Sequence, residues 1–113
     1  MTPDSPREVW RTGRLFKYPE WEEYELFDSD DLWSEHAYLL YGEAPSPGAA
    51  PMVFVWIGQF FEECEGGGPE VLRHFTERAA RSFGRHTGWK IGALITVQEL
   101  EEEEDFWEYF VLG

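Results

Sequence analysis

A single cysteine, Cys64, stands in 113 residues. That excludes an intrachain disulfide and a thiolate zinc cage, and it fits a reducing compartment. Positive charge is also scarce: nine Lys and Arg face 23 Asp and Glu, a net charge of −14. Such a field repels phosphate backbones and anionic lipid headgroups, so nucleic acid and membrane surfaces are poor partners. No apolar run approaches the roughly 20 residues that a membrane-spanning helix needs. Residues 1–6 lack the basic-then-apolar pattern of a secretory signal, and the expected location is cytoplasmic. Signatures of catalysis are missing too. No serine sits in a Gly-x-Ser-x-Gly elbow, and Gly66-Gly-Gly-Pro69 lacks the Lys-Ser/Thr that completes a phosphate-binding loop. Six positions after Cys64 stands Glu70, where a cysteine phosphatase needs an arginine. The chain reads as non-enzymatic, with Cys64 an ordinary loop residue.

What is present is apolar and aromatic. Hydrophobic residues make up 42 % and aromatics 18 %, enough for one core and therefore one domain. Residues 1–13, with Pro3, Pro6 and Gly13, read as a flexible leader in which Trp10 is a candidate anchor; residues 14–113 read as the domain. Leu15, Phe16 and Tyr18, stopped by Pro19, predict a first strand. Alternation over residues 24–26 predicts a second. Asp28 to Asp31 supply a helix cap and acids for a single helical turn. The apolar runs 37–41 and 52–57 predict central strands covered on both faces, joined by a loop rich in Pro and small residues whose tip is expected to be mobile. Pro69 opens and Gly84 closes a helix of about 15 residues whose apolar positions recur at helical spacing. Residues 89–97 read as a further strand or strand pair, and the aromatics from Phe106 to Phe110 as a short closing helix.

Three polar constellations bear on chemistry. Counted as a calcium loop from Asp28, position six is Trp33 where glycine is required and position twelve is Leu39 where a bidentate acid is required, so an EF-hand is excluded. Six acids in residues 99–105 read as a solvated segment that limits aggregation. His36, His74 and His86 share no ligand spacing within one helix. The long helix stands out instead, because its polar face carries Arg73, His74, Glu77, Arg78 and Arg81 in a strongly acidic chain.

Four stretches, in order, resemble the gelsolin/villin/severin repeat. They are Arg14-Leu-Phe-Lys-Tyr-Pro, then residues 27–41, then Val53-Phe-Val-Trp-Ile-Gly58, and finally Ile95-Thr-Val-Gln-Glu with the closing segment 106–113. The resemblance implies an α/β (α+β) single gelsolin-like domain, with a central mixed five-stranded sheet between one long and one short helix. It also implies a module that binds actin monomer or filament through the long helix, which makes Arg73, His74, Glu77, Arg78 and Arg81 the actin-contact candidates. An alternative under the same resemblance is a non-actin protein-interaction or regulatory domain. Calcium commonly controls such repeats. The implied site places Glu35 at its carbonyl position, His36 where an acid belongs, and the helix acid near His74, or on Glu70 or Glu77 if the glycine insertion shifts the register. An imidazole is a poor ligand for a hard cation, so Glu35, His36 and His74 are expected to mark a degenerate calcium site. If His36 and His74 faced each other, a transition-metal site would be conceivable.

Overall fold

The computed structural model of the chain describes residues 13–25, 27–42 and 50–110. The elements run β1 (Gly13–Lys17), β2 (Glu22–Tyr24), β3 (Ala37–Gly42), β4 (Met52–Ile57), α1 (Pro69–Thr87), β5 (Ala93–Gln98) and α2 (Glu104–Trp107), with a 3-10 turn at Ser29–Asp31 before β3. The strands form one mixed sheet in the order β2-β1-β3-β4-β5. Neighbours are antiparallel except β4 and β5, which are parallel. Parallel neighbours require a crossover, and α1 supplies it on one face of the sheet while α2 covers the other. The expected five-stranded sheet between a long and a short helix is the observed architecture.

Strand side chains alternate between the faces, which divides the core in two. Leu39, Val53 and Val55 point toward α1 and pack with Phe75, Ala79 and Phe83. Leu40, Phe54 and Trp56 point the other way and pack with Phe106, Tyr109 and Phe110. This double covering is why residues 37–41 and 52–57 are continuous apolar runs. Each such side chain taken out of water contributes about 1.5–3 kcal/mol. The Trp56 indole Nε1 donates to Glu102 Oε2 at 2.8 Å, so the polar atom of a nearly buried ring is satisfied. At least one acid of the 99–105 run is thus part of the fold rather than a solvated charge.

Several local expectations shift. Gly13 belongs to β1 rather than to the leader. The second strand is Glu22–Tyr24, slightly earlier than expected, and Trp21 stands before it in a turn at φ 59°. That left-handed conformation is held by the buried ring, which packs on Tyr18 and Phe83 and donates from Nε1 to Ser82 Oγ at 3.2 Å. The last strand begins only at Ala93. Asp28 caps the 3-10 turn as expected, accepting from the Asp30 N–H at 2.9 Å. α1 continues past Gly84, whose carbonyl accepts from the Gly88 N–H at 2.7 Å; Gly88, at φ 78°, is the residue that ends it. Thr87 reinforces the last turn by donating to the Phe83 carbonyl and accepting from Trp89 N–H.

Gly58, last of the Val53–Gly58 stretch, is required by close approach. Its N–H donates to the His36 carbonyl at 3.0 Å, and a Cβ there would collide with the Ser34 carbonyl. Cys64 lies in the turn before α1, as expected of a loop residue, but is buried in the core beneath that helix, and burial together with Glu63 pushes its thiol up, away from the reactive thiolate. The expectations for residues 1–12, including Trp10, for Leu26, for the tip of the 43–49 loop and for residues 111–113 lie outside the described residues.

Two stability predictions follow from this packing. Trp56→Ala lowers the unfolding free energy by about 3–5 kcal/mol in urea titration, and a loss below about 1 kcal/mol would contradict the burial assigned to it. Leu100 holds φ 76° with its side chain 75 % exposed, so no packing offsets the strain. Leu100→Gly relieves about 1–2 kcal/mol of left-handed strain against about 0.5–1 kcal/mol of glycine entropy. The melting temperature should rise or hold; a clear fall refutes the strain.

Candidate functional site

α1 turns one stripe to the sheet and the opposite stripe to water. Phe75, Thr76, Ala79, Ala80 and Phe83 are buried, whereas Arg73, His74, Glu77, Arg78 and Arg81 are all exposed. The helix therefore brings the five sequence candidates together on one outward face, as their spacing requires. Its extension past Gly84 adds Arg85, in register with Arg78 and Arg81 and also exposed. Sequence reasoning missed Arg85 by ending the helix one turn early; its i+4 relation to Arg81 was the available signal.

Ion pairs on this face are weak. Arg73 lies 3.9 Å from Glu77, and Arg78 lies 3.6 Å from Glu63, each with both side chains well exposed. Pairs of this kind are worth about 0–1 kcal/mol, so an incoming carboxylate can replace the internal one at little cost. Arg78 also stacks over the Phe75 ring at 5.5 Å, which holds the guanidinium near the helix surface. Among the described residues, no ion pair engages Arg81 or Arg85.

Arg78, Arg81 and Arg85 line a cleft of about 280 Å³ closed on the far side by Tyr18 and Pro19 of the β1–β2 turn. Tyr18 donates its phenolic hydrogen to Glu63 Oε2 at 3.0 Å. Burial, the Glu63 hydrogen bond and the Glu63 charge together push the Tyr18 hydroxyl up, so it remains a donor through neutral pH. The chemistry on offer is recognition of acidic or hydrogen-bonding groups by arginine cations, with Ser82 also lining the cleft.

The degenerate calcium ligands do not converge. Glu35 and His36 lie in the turn before β3, and the His36 ring packs with Trp33 and with Tyr38, which belongs to the core layer under α2. His74 stands on α1, on the other side of the sheet. Among the described residues, no group of three or more His, Cys, Asp or Glu is placed to hold a metal ion. His36 and His74 do not face each other as a transition-metal pair. No helix among the described residues is long and apolar enough to cross a membrane.

No protein-family model matches the chain, and no curated protein sequence matches it. By structure it is similar to a chain in the crystal structure of the Thorarchaeota 2DGel3/rabbit actin complex. The TM-score is 0.47 at 19 % identity, covering 91 % of this chain and 47 % of that one. This chain thus spans about half the length of the one it matches.

The tyrosines give the alkaline limit of the fold. Burial pushes Tyr38 up to about 12, despite the Trp33 N–H donated to its oxygen, and raises Tyr18, Tyr24 and Tyr41 as well. Below about pH 10 both folded and unfolded chains keep these protons. Above it the unfolded chain loses protons that the folded chain retains, so stability falls between about pH 10 and 12. Tyr38→Phe should flatten part of that fall in pH-dependent urea unfolding; an unchanged slope would place Tyr38 in water.

Proposed function

We propose that this domain is a non-catalytic binding module that engages actin through the outward face of α1, with Arg73, His74, Glu77, Arg78 and Arg81 as contacts and Arg85 extending them. The observation that carries the reading is that α1 presents five exposed polar side chains on one uncovered stripe, above a helix anchored by five buried residues. Support comes also from the four stretches that resemble gelsolin/villin/severin repeats and from the layers they imply, which are the observed ones. A rigid helix loses little conformational entropy on docking. Its weakly paired arginines exchange internal carboxylates for external ones, and in a chain whose overall net charge is −14 this arginine-rich face is the natural point of approach for an acidic surface. One module offers one contact, so binding or sequestering a monomer is the expected outcome rather than filament severing.

The reading gives calcium no role, and support for this is that His36 packs with Tyr38 whereas His74 stands on α1. The test is monomer titration and filament co-sedimentation with about millimolar calcium and again with chelator, a range that spans weak calcium sites. Equal affinity is expected in the two conditions. Arg78→Glu combined with Arg81→Glu should weaken binding by about tenfold or more while leaving the fold intact. Absence of binding in both conditions would refute actin as the partner, and binding that the double variant leaves unchanged would refute the helix contact.

A further inference from the structure

Three connections meet where β3 begins and β4 and β5 end. The Phe60 N–H donates to the Ser34 carbonyl at 2.9 Å, beside the Gly58–His36 bond already described. Glu99 ties both segments to the end of β5: its Oε2 accepts from Ser34 Oγ at 2.7 Å, its Oε1 accepts from the Gln59 N–H at 2.9 Å, and its own N–H donates to the Ile57 carbonyl at 3.1 Å. Hydrogen bonds to an ionised carboxylate are among the strong ones, so these loops form one pre-built platform. The start of α1 adjoins it, since Gly67 and Leu72 share a cleft of about 160 Å³ with Gln59 and Glu99.

Four large apolar side chains stand exposed among the described residues, and three of them, Trp33, Phe60 and Leu100, are on the segments this network joins. Trp33 is 61 %, Phe60 55 %, Leu100 75 % and Val71 42 % exposed. Trp33 and Leu100 flank Ser34 and Glu99, Phe60 is itself hydrogen-bonded into the net, and Val71 lies in the first turn of α1 against Gly67. Scattered exposed apolar residues are ordinary, but their concentration at one end of a molecule marks an interaction surface. Leu100 adds a second sign. Its left-handed backbone is one that bulky residues avoid, and strain held without burial to offset it is typical of ligand-contacting segments.

Charge defines the occupant. The connections that meet here run through segments 28–36, 58–71 and 98–105, which contain fourteen of the 23 acidic residues and none of the nine Lys and Arg, although Glu63 pairs with Arg78 and Glu103 and Asp105 lie beside Ile95 and Thr96. We propose that this platform docks a protein partner presenting a short segment in which Lys or Arg is interspersed with large apolar side chains. The apolar side chains cover Trp33, Phe60 and Leu100, and the cations face exposed acids such as Glu35, Glu62 and Glu101. A second copy of the platform is excluded as occupant by like charge, and nucleic acid for the same reason. Because the loops are already hydrogen-bonded, docking needs little further ordering; the acidic surround speeds encounter and makes it salt-sensitive. The surface is distinct from the Arg78, Arg81 and Arg85 stripe and does not depend on the actin reading.

The test selects random short peptides on phage against the whole domain, with counter-selection on a Trp33→Ser, Phe60→Ser, Leu100→Gly variant. Enriched sequences should combine basic and large apolar residues. As synthetic peptides they should bind about tenfold or more weakly to the variant, and affinity should fall as salt rises. Thermal melts check folding, and Leu100→Gly alone carries the comparison if the triple variant is unstable. Enrichment of sequences without basic residues, equal affinity for the variants, or no enrichment at all would overturn the proposal.

Discussion

Residues 37–40 and 53–57 have almost no contact with water on either face of the sheet, and each helix is held by the half of them that points its way. If β3 or β4 slipped by one residue, every one of these side chains would change sides. Leu39 paired with Val55 and Leu40 paired with Phe54 fix the register that seats both helices. α1 follows because β4 and β5 are parallel and the chain must cross back over the sheet between them. The outward polar stripe is the part of that crossover helix that the core does not claim.

The same constraint sorts the charges. A helix with Phe75, Ala79 and Phe83 turned inward must turn its polar residues outward, and on α1 these are rich in arginine. The loops at the end of the sheet carry acids instead, and Glu99 and Glu102 are used there structurally, accepting from Ser34, Gln59 and Trp56. Two surfaces of opposite character therefore share one small domain: a cationic helix stripe with weak internal pairing, and an acidic platform from which Trp33, Phe60 and Leu100 project. Each matches a different kind of partner, since an acidic surface is drawn to the first and repelled by the second.

Much of the layering was legible because burial on both faces leaves continuous apolar runs, and burial on one face of a helix leaves period-3.6 spacing. Residues 37–41, 52–57 and 69–83 carry those patterns plainly. The outward set Arg73, His74, Glu77, Arg78 and Arg81 was legible for the same reason, as the complement of the buried stripe. What sequence reasoning misplaced depended on partners distant in the chain. Gly84 looked like a helix stop until Thr87 and Gly88 were seen to complete the last turn. Trp21, outside the alternation that marked the second strand, has its ring held by Phe83, far along the chain.

The sequence alone determined that the chain is acidic and carries two central strands and a long amphipathic helix, because composition and periodicity are local properties. Tertiary structure decided which distant residues meet. It set His36 and His74 on opposite sides of the sheet, buried Cys64 beneath α1, and tied Ser34, Gln59 and Glu99 into one platform across 65 residues of chain. Those outcomes rest on strand order and on the crossover, and no local pattern encodes either.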